Sequence, residues 1–574
     1  MTLAAGRTGR SAHSLGAPRL RLEHLVTGGT VVALVVLIVL PLMSLLWGSI
    51  AGDGGLTVGY FERAISSRLY LQALVNSLVL GGWVGLLSVA IGVPLAWAVA
   101  RTNLPGKGFV RLTASLAYIT PPFLVAIAYV ILFSPNAGLI NVVLRDVLGL
   151  PMLTFNVFSM PGLVLVTVPH TFPFVYLLAV SALMSVDASL EESAQILGAG
   201  KLRTALSITG PLVAPSILSG ALIAFVSAIA LFGSQAIVGL PARLFTLPTR
   251  IYALFDFPPQ YGLASALSLI LVGITVAALY FQRAYLARRS YVTLGGKGSR
   301  PQLIDLGGWR WALLGFCAIV FVVAILLPYA ALIAVSLSKS WGLAFWQNLT
   351  LANFRFVLFE YDVTRRAILN SLFLAALAAS LAAILGALVG WIDLRTRMPG
   401  RRILDYVSLI PLGLPGIVMA VALIQFWLKM PLPLYGTLTI LLLAYTARYV
   451  PLGVRAANSA LRQVDPSLEE SARILGASWG FTLREVTLPL IRPGLLAGWI
   501  LVFVPAIQEL SASILLLSSN SITLAVAVYN LYENGYIEPV AALALVNVTI
   551  IGAAITLARR LGAGREGGRV GAIA

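Results

Sequence analysis

The stretch VDASLEESAQILGA at residues 186–199 returns at residues 464–477 as VDPSLEESARILGA, with twelve of fourteen positions identical. A match of this length, 278 residues further along the chain, indicates an internal repeat. Upstream, Arg101-Thr102 corresponds to Arg395-Thr396 at an offset of 294 residues, so the first half carries 16 additional residues between its third and fourth predicted spans. The chain therefore consists of two related halves.

The composition indicates a membrane protein. Hydrophobic residues make up 59% of the 574 residues, charged residues only 10%, and the mean hydropathy is +0.94. Soluble proteins carry about 25% charged residues. Apolar runs of about 18 residues or more recur along the chain, which is long enough to cross the hydrocarbon core as helices. They lack the alternation of a membrane β-barrel. The predicted fold class is an all-α polytopic membrane protein.

About twelve transmembrane helices are predicted, six in each half. An even number per half makes the halves parallel repeats about an axis along the membrane normal. The predicted domains are residues 1–283 and 311–574, joined by a Gly-rich, basic cytoplasmic linker at 284–310. The spans lie near residues 26–50, 74–100, 112–133, 158–184, 212–238 and 260–283, and near 311–337, 368–394, 404–428, 433–456, 490–517 and 538–562.

The basic residues predict the orientation. If the N-terminus is cytoplasmic, 28 of the 39 Lys and Arg residues fall in cytoplasmic segments, 10 fall in external segments, and Arg448 lies inside a span. This positive-inside pattern predicts that both termini are cytoplasmic. The net charge of +18 is thereby explained without nucleic-acid binding. Residues 26–50 are interpreted as an uncleaved first span, since no A-x-A site follows them.

Several local patterns predict how helices begin. Ser189-x-x-Glu192 and Ser467-x-x-Glu470 have the spacing of capping boxes. Asn76 and Asn370 precede their predicted spans and are expected to be N-caps, with a role in an external gate as the alternative.

Other patterns predict the shapes of individual segments. The stretch LINVVLRDVLGL, residues 139–150, is predicted to form an amphipathic helix on the external surface. Prolines are expected to kink the third and ninth spans, with freed carbonyls that could line a cavity. These prolines are Pro121, Pro122, Pro411 and Pro415.

Each copy of the repeat continues into a longer pattern. Glu192-Ser193-Ala194 is followed by Gly198 and by Ile208-x-Gly210-Pro211, and Glu470-Ser471-Ala472 is followed by Gly476 and by Val486-x-Leu488-Pro489. Both copies resemble the EAA loop of ABC importer permeases. The family has Ala where Ser193 and Ser471 stand and Leu where Gly210 stands, so the second copy is the closer match.

The resemblance covers nearly the whole chain as two fused permease domains. It implies that the loops near 187–211 and 465–489 form coupling helices, each inserted into a groove on one of two ATPase subunits. The implied coupling residues are Glu192, Ser193, Ala194, Gly198, Glu470, Ser471, Ala472 and Gly476.

Within that family the chain is most similar to fused ferric-iron permeases. The similarity lies in LFGSQAIVGLPARLFTLPTRIY (231–252), YVTLGGKGSRPQLIDLGGWR (291–310) and QELSASILLLSSNSITLAVAVYNLYENG (508–535). It implies a bacterial inner-membrane importer of ferric iron, supplied by an extracytoplasmic binding protein. Thiamine, polyamine and phosphonate permeases share this plan, so those substrates remain alternatives.

No ATP-hydrolysing site is predicted. A Walker A loop reads G-x-x-x-x-G-K-[ST], but Gly200-Lys201 is followed by Leu202 and Gly296-Lys297 by Gly298. ATP and Mg²⁺ are therefore expected in the partner ATPases, with no cofactor and no catalytic residue in this chain. The single cysteine and three histidines also predict no metal site.

Four polar residues within predicted spans are candidates for the substrate pathway, because charges inside a membrane are costly. Arg448 aligns with His170 at the offset of 278, and Gln508 and Glu509 lie in the eleventh span. Arg448 either lines the pathway, where it would meet an anionic group, or snorkels. His170 either lines it or makes an interhelical hydrogen bond. Glu509, which has Leu231 as its counterpart, either serves the path or gate or pairs with an arginine.

An ion-coupled secondary transporter is the alternative of another class. That class predicts acidic residues deep in the spans, for which Glu509 is the strong candidate. It leaves the repeated loop unexplained.

Overall fold

The structure is a computed structural model that describes residues 22–52, 54–288 and 303–563. Residues 289–302, in the predicted linker, lie outside the described ranges. Within these ranges the fold is helical apart from one short antiparallel pair of strands, β1 (Ala51–Gly52) and β2 (Gly55–Leu56).

The described part of the first half contains fourteen α-helices: α1 (Leu22–Leu34), α2 (Leu40–Ile50), α3 (Gly59–Ser66), α4 (Arg68–Arg101), α5 (Lys107–Ile119), α6 (Pro122–Phe133), α7 (Leu139–Val142), α8 (Met160–Ser185), α9 (Ala188–Ile196), α10 (Lys201–Thr204), α11 (Gly210–Ala230), α12 (Gly233–Gly239), α13 (Leu247–Ala253) and α14 (Tyr261–Arg288).

Between residues 303 and 563, the second half contains thirteen: α15 (Trp309–Phe321), α16 (Leu327–Ser336), α17 (Ala352–Arg355), α18 (Asp362–Arg395), α19 (Arg401–Leu409), α20 (Gly416–Trp427), α21 (Leu438–Arg462), α22 (Pro466–Ile474), α23 (Trp479–Thr482), α24 (Leu488–Ile507), α25 (Ser513–Leu516), α26 (Leu524–Glu533) and α27 (Ile537–Ala563). Five-residue π-helical turns occupy Val35–Val39, Val143–Val147, Ala205–Thr209, Val322–Leu326, Phe356–Glu360 and Leu483–Thr487, and 3₁₀ turns occupy Phe345–Gln347 and Ile410–Gly413.

The internal repeat is visible in the helices themselves. The long helices α4 and α18 each have 34 residues, and the short helices α9 and α22 each have 9. The π-helical turns Ala205–Thr209 and Leu483–Thr487 fall at equivalent positions. Within each half the long helix packs against the helix that precedes the repeated loop and the helix that follows it, as in α4 with α8 and α11. The prediction of two related halves is confirmed.

The predicted number of twelve spans is not confirmed. Among the described residues, nine helices are long and apolar enough to cross a membrane, or eleven if each of two strongly bent helix pairs counts as one span. The predicted span at 433–456 corresponds to α21, which has 25 residues but carries Arg448, Arg455 and Arg462 and is not among them. The predicted spans 212–238 and 490–517 are interrupted, because their helices end at Ala230 and Ile507.

The proline-rich spans break as predicted, and sharply. Helices α5 and α6 meet at 98°, and the segment Arg401–Gly413 meets α20 at 114°. At each break one carbonyl is bonded by the opposite half: Gln508 Nε2 donates to the Ile119 carbonyl at 2.9 Å, and Thr275 Oγ1 donates to the Gly413 carbonyl at 2.8 Å. Such bonds compensate backbone groups that a lipid environment would leave unsatisfied.

The first span of each half packs between the two halves. Helix α2 contacts α14 of its own half and α20 of the other, and α16 contacts α27 of its own half and α6 of the other. The halves are therefore joined by two equivalent sets of contacts, one made by α2 and the other by α16.

The capping predictions are wrong. Helices α9 and α22 are capped by Asp187 and Asp465, whose carboxylates accept hydrogen bonds from the backbone N–H groups of Ser189 and Ser467 at 3.0 and 2.9 Å. Each helix therefore begins before the serine that was expected to cap it. Within α9 and α22, Glu192 and Glu470 have no capping-box role.

The two asparagines predicted as N-caps lie inside helices instead. Asn76 is within α4 and donates to the Phe245 carbonyl at 2.8 Å. Asn370 is within α18 and donates to the Ile522 carbonyl at 2.9 Å. Both asparagines thus join a long helix to a later segment of the same half. Residues 139–147 are helical, as predicted for the segment at 139–150.

Candidate functional site

We refer to the surfaces of the two repeated loops, residues 186–211 and 464–489, together as the loop face. On it, Glu192, Ser193, Glu470 and Ser471 are exposed, while Ala194 and Ala472 are partly covered. The predicted coupling side chains are therefore accessible from outside the molecule.

Each loop helix ends in a left-handed glycine. Gly198 has φ +85° and Gly476 has φ +89°, a conformation that side chains other than glycine adopt at a cost. A Cβ atom at either position would meet no heavy atom within 4 Å. The space beside both glycines is open.

Two pairs of large apolar side chains on the loop face were not predicted as site residues. Ile196 and Leu197 are 85% and 87% exposed, and Ile474 and Leu475 are 84% and 87% exposed. Apolar side chains exposed together mark interaction surfaces. The sequence signal for these side chains is the repeated ILGA, which contains both apolar pairs beside the glycines.

The first glutamate of each loop points inward. Glu191 accepts a hydrogen bond from Arg101 Nη1 at 3.1 Å and another from the Thr209 hydroxyl. Arg101 also donates to the Val186 carbonyl at 3.4 Å. The side chains of Arg101 and Glu191 are only 2% and 14% exposed.

The second half repeats this arrangement with the same residue types. Glu469 accepts from Arg395 Nε at 3.2 Å and from the Thr487 hydroxyl at 3.0 Å. Arg395 also donates to the Val464 carbonyl at 2.6 Å, and the Arg395 and Glu469 side chains are 10% and 8% exposed. Sequence reasoning missed both networks, because it treated Arg101 and Arg395 only as repeat markers.

The segment before α15 is attached beside the first of these networks. The Ile304 amide donates to the Arg101 carbonyl at 2.8 Å, and the Asn103 amide donates to the Ile304 carbonyl at 3.1 Å. The Asn103 side chain donates to Asp305 Oδ1 at 2.5 Å and accepts from the Leu306 amide at 3.2 Å. The connection between the halves is thereby held against the end of α4.

In the interior, Glu509 pairs with Arg448. Arg448 Nε lies 3.0 Å from Glu509 Oε2, and the Tyr449 hydroxyl and the Ala512 amide also donate to the carboxylate, the latter at 3.0 Å. Glu509 is 5% exposed and Arg448 22%. Of the interpretations left open, the internal ion pair is the one that the structure contains.

A cavity of about 200 Å³ lies next to this pair, between the halves. Arg448 and His170, which align in the repeat, both line it, as does Leu231 at the position equivalent to Glu509. The Nδ1 atom of His170 is buried without a hydrogen-bond partner among the described residues. Gln508 is instead engaged at the break between α5 and α6. The structure therefore brings three of the four candidates together, Glu509 through its contact with Arg448.

Comparison with protein families agrees with this architecture. The family described as "Binding-protein-dependent transport system inner membrane component" matches residues 89–291 and 382–564, one match in each half. The chain belongs to this family. The family is that of a binding-protein-dependent ABC importer permease, and here two permease units are fused in one multi-pass inner-membrane chain. The ion-coupled alternative gives way to this assignment.

Individual relatives extend the comparison of this permease. A ferric transport system permease protein of Actinobacillus pleuropneumoniae is 27% identical over 483 residues, which cover 82% of the chain and 68% of the relative. An Fe(3+)-transport system permease protein of Haemophilus influenzae is 24% identical over 460 residues, which cover 80% and 83%. The crystal structure of a bacterial ABC transporter involved in the import of the acidic polysaccharide alginate superposes with a TM-score of 0.39 and 20% identity, over 47% of this permease and 96% of that chain.

Proposed function

We propose that this permease imports ferric iron, which an extracytoplasmic binding protein delivers and two separate ATPase subunits drive across the membrane. The observation that carries the proposal is the repeated loop, which exposes the same Glu-Ser and Ile-Leu side chains in both copies. The relatives named as ferric permeases, which cover 80% or more of the chain, support the choice of substrate.

In this proposal each loop helix docks on one ATPase subunit, so the loop face and both termini are cytoplasmic. The exposed Ile–Leu pair would fill an apolar groove, and the neighbouring exposed glutamate (Glu192 or Glu470) would meet a basic residue. ATP and Mg²⁺ would be held by the ATPase subunits.

The cavity between the halves is assigned to the substrate pathway. Arg448 and His170 line it from opposite halves, and Glu509 fixes the Arg448 guanidinium from behind. Gln508 joins the second half to the α5–α6 break beside it. A change in the angle between the halves would open or close this cavity.

Uptake by the complete importer tests the proposal. The permease is reconstituted in liposomes with its ATPase and binding protein, and ATP-dependent accumulation of radioactive Fe³⁺ is measured. Uptake of thiamine, a polyamine and a phosphonate, the alternative substrates, is measured in parallel vesicles. Uptake of one of these compounds without uptake of iron would refute the ferric assignment but not the assignment as an importer. ATP hydrolysis by the purified permease alone would refute the assignment of hydrolysis to separate subunits.

A further inference from the structure

The inward-facing glutamates Glu191 and Glu469 occupy equivalent junctions in the two halves. Each accepts hydrogen bonds from the arginine that ends a long helix (α4 or α18) and from a threonine that precedes the next span. The same arginine also bonds a valine carbonyl before the loop helix, at Val186 or Val464. The carboxylate thus connects the loop helix to the long helix and to the segment after it, and the arginine adds the segment before it.

We infer that Glu191 and Glu469 are positioning residues that transmit movement of the loop helices to the transmembrane helices. This inference rests on the proposed function, because it takes the loop helices to be the sites on which the ATPases act. A nine-residue helix is too short to be stable alone, so its position depends on what holds it. The buried ion pair and the threonine bond supply that connection.

The two adjacent glutamates of each loop helix then have different roles. Consecutive residues of an α-helix point about 100° apart, so Glu192 and Glu470 are directed outward when Glu191 and Glu469 are directed inward. The structure has this arrangement in both loops. The outward glutamate would contribute to binding of the ATPase. The inward glutamate would transmit movement of the bound loop helix to the transmembrane helices.

The test compares two matched double variants in the complete, reconstituted importer. Glu191→Gln with Glu469→Gln removes the inward charges, and Glu192→Gln with Glu470→Gln removes the adjacent outward charges. Two quantities are measured: the affinity of the ATPase subunits for the permease, and the stimulation of ATP hydrolysis by binding protein loaded with Fe³⁺. Stimulation reports transmission through the membrane without requiring completed transport.

For the inward pair we expect attachment to be retained and stimulation to fall about tenfold, within the 5–150-fold range of typical couplings between sites. The outward pair should weaken attachment. Full stimulation in the inward variant would overturn the inference, as would a defect confined to attachment. If the wild-type permease binds no ATPase subunits, the proposed function itself fails.

A milder variant keeps the inference testable if the inward double variant misfolds. Thr209→Val with Thr487→Val removes one hydrogen bond from each junction and keeps the ion pair and the side-chain shape. We expect a smaller loss of stimulation at unchanged attachment. Unchanged stimulation in this variant, in a permease that unfolds at the wild-type temperature, would also count against transmission through the junction.

Discussion

Replacing Glu509 by leucine gives the second half the residue that the first half has at Leu231. The substitution removes the carboxylate that accepts from Arg448 Nε at 3.0 Å and from the Ala512 amide at 3.0 Å. The guanidinium keeps a long contact of 3.4 Å with the Leu414 carbonyl and its place over the Tyr449 ring, 5.7 Å from the ring centroid. Arg448 is thereby left without its countercharge.

The expected cost follows from burial. Removing one partner of a buried ion pair costs about 3–5 kcal/mol. Glu509 is 5% exposed, but Arg448 is 22% exposed and lines a cavity, so some of the loss is screened. We expect Glu509→Leu to lower the free energy of unfolding by about 3 kcal/mol, at the lower end of that range.

The control is a double variant that replaces both members of the ion pair by the residues of the first half. Arg448→His combined with Glu509→Leu reproduces the first half's His170 and Leu231, and it leaves no unpaired charge. Because replacing a whole buried pair is often nearly neutral, we expect the double variant to recover most of the stability lost in Glu509→Leu. Unfolding is followed by SDS titration in mixed micelles. A double variant as unstable as the single one would refute the account of Glu509 as the countercharge of Arg448.

Three further predictions concern other parts of the chain. Gly198→Leu with Gly476→Leu should prevent ATPase attachment, whereas alanine at both positions, which bears the same backbone strain, should preserve it; binding assays with wild-type affinity for the leucine variant would contradict docking at these sites. Asn103→Ala should accelerate hydrogen exchange of the Ile304 amide, because it removes the side-chain bonds that hold this segment, and equal exchange rates would contradict that role. Leu231→Glu should alter iron uptake far more than Leu231→Gln if the cavity is the pathway, and equal effects would assign the cavity a purely structural role.

The repeat accounts for what could be predicted. Hydrophobic runs and the repeated stretch predicted a helical membrane protein of two parallel halves, and the loop residues Glu192 and Glu470 are exposed as their proposed role requires. Prolines located both broken spans. They did not give angles of 98° and 114°, because those depend on packing between the halves.

Features set by pairing of distant residues were missed. The contacts between Arg101 and Glu191 and between Arg395 and Glu469 join positions 90 and 74 residues apart, and no local pattern indicates them. The capping error had a local cause: both Ser and Asp are good N-caps, and Asp187, two residues before Ser189, was available to the chain. The aspartate carboxylates, which accept from the amides of Ser189 and Ser467, therefore set where each helix begins.

The two halves are alike at the loop face and different in the interior. Arginine, valine, glutamate and threonine recur in both junctions, so two identical ATPase subunits could act on them in the same way. At the cavity, however, Arg448 with Glu509 faces His170 with Leu231. A symmetric movement of the two loop helices would therefore act on a cavity whose lining is asymmetric. Both halves line the cavity, but the ion pair lies in the second half. The repeat therefore preserves the residues of both junctions but not those that line the cavity.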